Sequence, residues 1–130
     1  MPHLHESLLR DAYAAFARGD IPAFIAMCTP DVVFRVPGQN RLSGTHDLNR
    51  FLAVLGPAMA ATGNSFREEV LALFAGDARG VVVLVQQLER DGRNYRWQCV
   101  HEWRIRDGKL AEFVEYTHDE TTFNAAWGRG

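Results

Sequence analysis

His101 and Glu115 are the two side chains of this sequence best suited to move a proton. An imidazole titrates near neutrality, and a carboxylate in apolar surroundings favours its protonated form. Facing one hollow, the pair could exchange a proton with a bound carbonyl compound. His101 lies in a segment where Tyr95, Trp97, Cys99, His101, Trp103 and Ile105 alternate with Arg96, Gln98, Val100, Glu102, Arg104 and Arg106. That is the period of one long strand with two unlike faces. Asp91-Gly92 suits a two-residue hairpin turn that pairs Leu88 with Tyr95, Gln86 with Trp97, Leu84 with Cys99 and Val82 with His101. The result is an aromatic wall containing Trp97 and Trp103, with Gln86 able to donate to a ligand oxygen and Tyr13 or Arg35 able to approach.

Whether Glu115 shares that wall depends on the turn between Ile105 and Lys109. A tight two-residue turn puts Glu112, Val114 and Tyr116 on the side of His101. A three-residue loop with Gly108 in a left-handed bulge puts Ala111, Phe113, Glu115 and Thr117 there instead.

The elements that must position these residues are legible in outline. Leu8, Leu9, Ala12, Tyr13 and Phe16 give a helix over residues 4 to 18, stopped by Gly19. Asp20 caps a short second helix, with Pro22 in its first turn, that runs through Met27 and ends at Thr29-Pro30-Asp31. Val32 to Val36 is a short strand halted by Pro37-Gly38. Leu48, Phe51, Leu52 and Leu55 give a third helix beginning near His46 behind a Thr45 cap, with Gly56-Pro57 expected to end or kink it. The rest is expected to be sheet, with a strand from Ser65 to Ala75 preceding Val81 to Val85. Val81, Val83 and Val85 face away from the aromatic wall and form a candidate dimer surface, unless a loop covers them.

Composition narrows the function classes. The chain has 130 residues, enough for one core and too few for two, so residues 1–130 are read as a single domain. Fourteen basic and sixteen acidic side chains, without a basic run, argue against nucleic acid as a partner. No stretch reads as a membrane span or a targeting segment, so a cytoplasmic location is expected. Cys28 and Cys99 read as buried hydrophobes. His3 and His5 read as a mobile tail, and His118-Asp119 as the end of the last strand. No three of these side chains have metal-ligand spacing, so neither a metal nor another cofactor is expected.

Several motifs in order carry a family resemblance: Arg18-Gly19-Asp20, Pro30-Asp31-Val32-Val33-Phe34, Pro37-Gly38, and a final stretch from Trp103 containing Arg-Asp-Gly-Lys-Leu, Glu115-Tyr116 and Asp119. Together they resemble the SnoaL-like branch of the nuclear transport factor 2 superfamily over nearly the whole chain. The resemblance implies an α+β fold. A cone-shaped, curved antiparallel sheet would pack against N-terminal helices around a central pocket, commonly as a homodimer. By analogy with that family we take the bulged register, which sets His101 and Glu115 on adjacent strands flanked by Trp97, Trp103 and Phe113. The resemblance also implies catalysis, because the polyketide cyclases of this branch place a histidine and a catalytic aspartate at the positions of His101 and Glu115. Here glutamate replaces the aspartate and lengthens the reach.

Other activities of the superfamily lack their residues. Ketosteroid isomerases place an aspartate where Val36 stands, a tyrosine beside Ala12 and a second acid at His101, while limonene epoxide hydrolases need an arginine and an aspartate where Cys99 and His101 stand. The expectation is therefore a cofactor-free isomerase, cyclase or lyase acting on a small apolar carbonyl compound. The alternatives are a non-catalytic binding protein, in which His101 and Glu115 merely satisfy one another, and a dimerisation module.

Overall fold

The computed structural model describes residues 3–129. Its elements are α1 Leu4–Ala17, α2 Ile21–Ala26, β1 Cys28–Val36, β2 Gly44–Asp47, α3 Leu48–Ala60, β3 Arg67–Ala75, β4 Arg79–Arg90, β5 Arg93–Arg106, β6 Lys109–Thr117 and α4 Glu120–Trp127. One six-stranded sheet in the order β2-β1-β6-β5-β4-β3 carries all the strands. Every neighbouring pair is antiparallel except β1 and β6, which are parallel, so the sheet is mixed rather than purely antiparallel. No helix among the described residues is long and apolar enough to cross a membrane.

The β4–β5 hairpin has the expected register, Val82 opposite His101 and Gln86 opposite Trp97. Asp91 and Gly92 both take positive φ, the twist that a two-residue turn needs to match its strands. Asp107 and Gly108 do the same, so the β5–β6 turn is the tight one and not a three-residue loop. The register is nevertheless the one taken from the family, because Arg104 pairs with Glu112 while Ile105 pairs with Leu110, leaving Ala111 as an extra residue. This bulge lies inside β6 and turns Phe113 and Glu115 to the side of His101.

Several boundaries differ from the sequence reading. β1 begins at Cys28 and runs through Thr29-Pro30-Asp31; its pairing with β6 is irregular between Cys28 and Val33, where Pro30 can be accommodated. Thr45 and His46 belong to β2, which pairs with β1, and Asp47 is the true cap of α3, accepting from Arg50 N. α3 continues through Pro57 to Ala60, since the carbonyl that proline leaves without a donor belongs to exposed Ala53. After β6 the chain forms α4, capped by Asp119, rather than ending as sheet. His3 and His5 are not a free tail: His3 caps α1 and reaches Asp77, and His5 Nδ1 lies 2.9 Å from the carbonyl of Gly76.

α1 packs on β3 and β4, α3 on β1 and β2, and α4 on β4 and β5, so the helices cover the face that carries the aromatic wall. Phe34 is buried there among Phe24, Phe51, Trp103 and Phe113, its ring stacked 4.0 Å from that of Phe51. On the opposite face, Ala72, Val83, Val100 and Tyr116 form a line across four strands, beside the pair Phe74 and Val81. Phe74 is 62% exposed and Tyr116 54%, so this face is open, and its apolar line is flanked by the ion pairs Arg79–Glu102 and Arg104–Glu112.

Candidate functional site

An interior cavity of about 70 Å³ lies between the sheet and the helices. Its wall is largely aromatic, with Phe34, Phe51, Trp103 and Phe113 prominent, and its polar side chains are Tyr13, Glu68, Gln86, His101 and Glu115. Among the described residues that line it there is no Lys or Arg.

Two hydrogen-bonded chains converge on this space, each starting from an indole. In the first, Trp103 Nε1 donates to Tyr13 Oη at 3.0 Å, and Tyr13 Oη lies 2.5 Å from His101 Nδ1. Because the phenol oxygen already accepts from the indole, its own proton is free to point at Nδ1. That leaves the ring proton on Nε2, which faces Glu115 Oε2 at 3.3 Å. In this tautomer the line of donors runs from Trp103 through Tyr13 and His101 to Glu115. Burial, reinforced by the charge of Glu68, lifts the Tyr13 phenol well above its usual range and keeps the donor protonated, although the indole bond opposes the rise.

In the second chain, Trp97 Nε1 donates to Gln86 Oε1 at 2.9 Å, which fixes the amide so that Gln86 Nε2 donates to Glu68 Oε2 at 2.8 Å. Burial pushes the Glu68 carboxyl above the ordinary carboxylate range; His101 and the Gln86 amide pull it back, and Glu115 adds to the rise. Cys99 faces inward beside His101, its Sγ 3.8 Å from Nε2, and burial together with Glu115 and Glu68 holds its thiol protonated.

Of the residues singled out from the sequence, Tyr13, Gln86, His101, Trp103, Phe113 and Glu115 come together around the cavity. Trp97 does not line it; it packs on Phe123 and acts through Gln86. Arg35 lies outside, paired with Glu112 at 2.7 Å. The residue that sequence reasoning missed is Glu68, along with Trp127 of α4.

Glu68 also yields a pH prediction. A carboxyl whose pKa is raised by folding binds more protons folded than unfolded, so stability falls as pH rises through the unfolded value towards the folded one. Glu68→Gln should therefore raise the melting temperature at neutral pH, and the gain should shrink below the ordinary carboxylate range. Parallel melting curves of the two proteins across that range check this, and a gain that grew on acidification would contradict the assignment.

Comparison with known proteins agrees with this architecture. Residues 9–113 match the family described as SnoaL-like domain. Rv0034 of Mycobacterium tuberculosis is 28% identical over 126 residues, spanning 92% of this chain and 93% of its own. A cystatin-like fold protein from Xanthomonas campestris superposes with a TM-score of 0.86 at 26% identity, over 99% of this chain and 100% of its own. TerC, crystallised with polyporic acid, superposes with a TM-score of 0.80 at 22% identity, over 95% and 97%.

Proposed function

The chain belongs to the SnoaL-like family, and from that premise we propose that it is a small-molecule pocket protein working as a cofactor-free isomerase, cyclase or lyase. Glu115, positioned by His101, exchanges a proton with an apolar carbonyl compound. The observation that carries this reading is the directed hydrogen-bonded line that ends on a carboxylate at the wall of an otherwise aromatic cavity. Glu115 removes a proton from the carbon next to the ligand carbonyl, and His101, held by Tyr13, fixes the carboxylate through Nε2–H. Glu68, whose carboxyl burial shifts towards its protonated form, gives its proton to the carbonyl oxygen as the enol forms, and reversal at another carbon completes an isomerisation. For scale, an engineered apolar cavity of about 150 Å³ holds benzene. A ligand of that size or larger would displace some of the aromatic side chains here.

Binding without turnover is the second reading. It is favoured by the same pair, since His101 and Glu115 already satisfy one another, and by the co-crystallisation of the structural neighbour TerC with polyporic acid. Deuterium incorporation next to the carbonyl of small ketones in D₂O, measured by NMR alongside quenching of tryptophan fluorescence, separates the two. Incorporation with quenching supports the enzyme, quenching alone the binding protein, and neither across a broad panel would defeat both.

The open face formed by Phe74, Val81, Val83, Val100 and Tyr116 fits a second copy of the chain better than water. The wild type should sediment as a dimer and Val83→Arg as a monomer with its fold intact. A monomeric wild type at all accessible concentrations would contradict this pairing.

A further inference from the structure

We propose that Cys99, His101 and Glu115 form a binding site for a soft divalent cation of the zinc type. The three donor atoms are buried and all lie within 4.8 Å of one another. Two of the three separations are close to those of ligands around an ion. With Zn–N near 2.05 Å, Zn–O near 2.1 Å and Zn–S near 2.3 Å, tetrahedral edges come to about 3.4 Å for N···O and about 3.6 Å for S···N. The corresponding separations here are 3.3 Å between His101 Nε2 and Glu115 Oε2, and 3.8 Å between Cys99 Sγ and His101 Nε2. As a direct contact the first is long, because a charge-assisted N–H···O bond contracts to about 2.7–2.9 Å.

Charge and support point the same way. Glu115 is buried in the wall of a cavity with no Lys or Arg among its described residues, and a buried carboxylate without a cation is unfavourable. Tyr13 Oη, 2.5 Å from Nδ1, would orient the imidazole from its far side, as outer partners of metal-bound histidines do. Binding would release the thiol proton to solvent, while the ring proton would move from Nε2 to Nδ1 and be donated to the phenol oxygen. His101 and Glu115 reach the cavity, so the fourth position would open towards it.

The site goes beyond the proton-transfer reading and competes with it, because an ion on Nε2 replaces the proton that Glu115 accepts. Titration of the reduced protein with Co²⁺ should produce a thiolate-to-cobalt band in the near ultraviolet and a tetrahedral envelope in the visible, both removed by Zn²⁺. Cys99→Ser should lose the ultraviolet band and Cys28→Ser should keep it. Tyr13→Phe should weaken Co²⁺ binding by roughly 10–100-fold. Absence of the ultraviolet band in the wild type, or its survival in Cys99→Ser, would overturn the site. Neither result would bear on proton transfer, which is read in metal-free buffer with chelator and should be suppressed by added Zn²⁺.

Discussion

Glu115→Gln is expected to lower deuterium incorporation into a responsive ketone by about 10²–10⁴-fold, the usual contribution of a positioned general base. Glutamine keeps the length of the side chain and can still accept from His101 Nε2–H, so the hydrogen-bonded line persists while the base is lost. The melting temperature should change little and the ligand should still quench tryptophan fluorescence. This combination separates a catalytic loss from a collapsed pocket. Wild-type incorporation in the variant would remove Glu115 from the chemistry and leave Glu68 as the remaining carboxylate of the cavity.

Phe34→Ala should produce the largest loss of stability. The ring is 1% exposed and touches Phe24, Phe51, Trp103 and Phe113, so its removal takes packing from β1, α2, α3, β5 and β6 together. Losses of about 3–5 kcal/mol are typical for truncating a buried phenylalanine to alanine. For a domain of this size that corresponds to a fall of roughly 10–20 °C in melting temperature. Because Phe34 also lines the cavity, the space left behind joins an apolar hollow, and benzene should bind there and restore part of the stability. A loss below about 1 kcal/mol would mean that the rings are not packed as described.

The parts of the site that sequence made legible are those set by strict alternation. The wall from Tyr95 to Ile105 and its pairing across Asp91-Gly92 follow from period two and a turn that tolerates positive φ, and no irregularity interrupts them. Where a bulge intervenes, the local pattern misleads. In β6 a tight turn would by itself have set Val114 opposite His101; the extra residue Ala111 brings Glu115 there instead, so the family analogy gave the right face through a turn of the wrong type. In β3 the same thing happens unannounced. Pairing backwards from Ala75 opposite Gly80 without interruption would set Glu69 against Gln86, but the extra residue Leu71 shifts the register and sets Glu68 there. Both carboxylates of the cavity are thus aimed by bulges, which composition and periodicity do not reveal.

The short strand β2 and the final helix α4 escaped for a simpler reason. Gly44-Thr45-His46-Asp47 is too short to display a period, and Glu120 to Trp127 owes its place to tertiary contacts: Phe123 packs on Trp97 and Trp127 on Phe66. The Asp119 cap was available as a signal, since its carboxylate accepts from Thr122 N.

The most direct measurement is the position of the proton on the His101 ring, read from long-range ¹H–¹⁵N correlation spectra of the neutral imidazole in metal-free protein. The hydrogen-bonded line places the proton on Nε2 and leaves Nδ1 bare, accepting from Tyr13, so that Tyr13→Phe shifts the Nδ1 resonance. A proton on Nδ1, or a ring whose resonances ignore that substitution, would contradict the account.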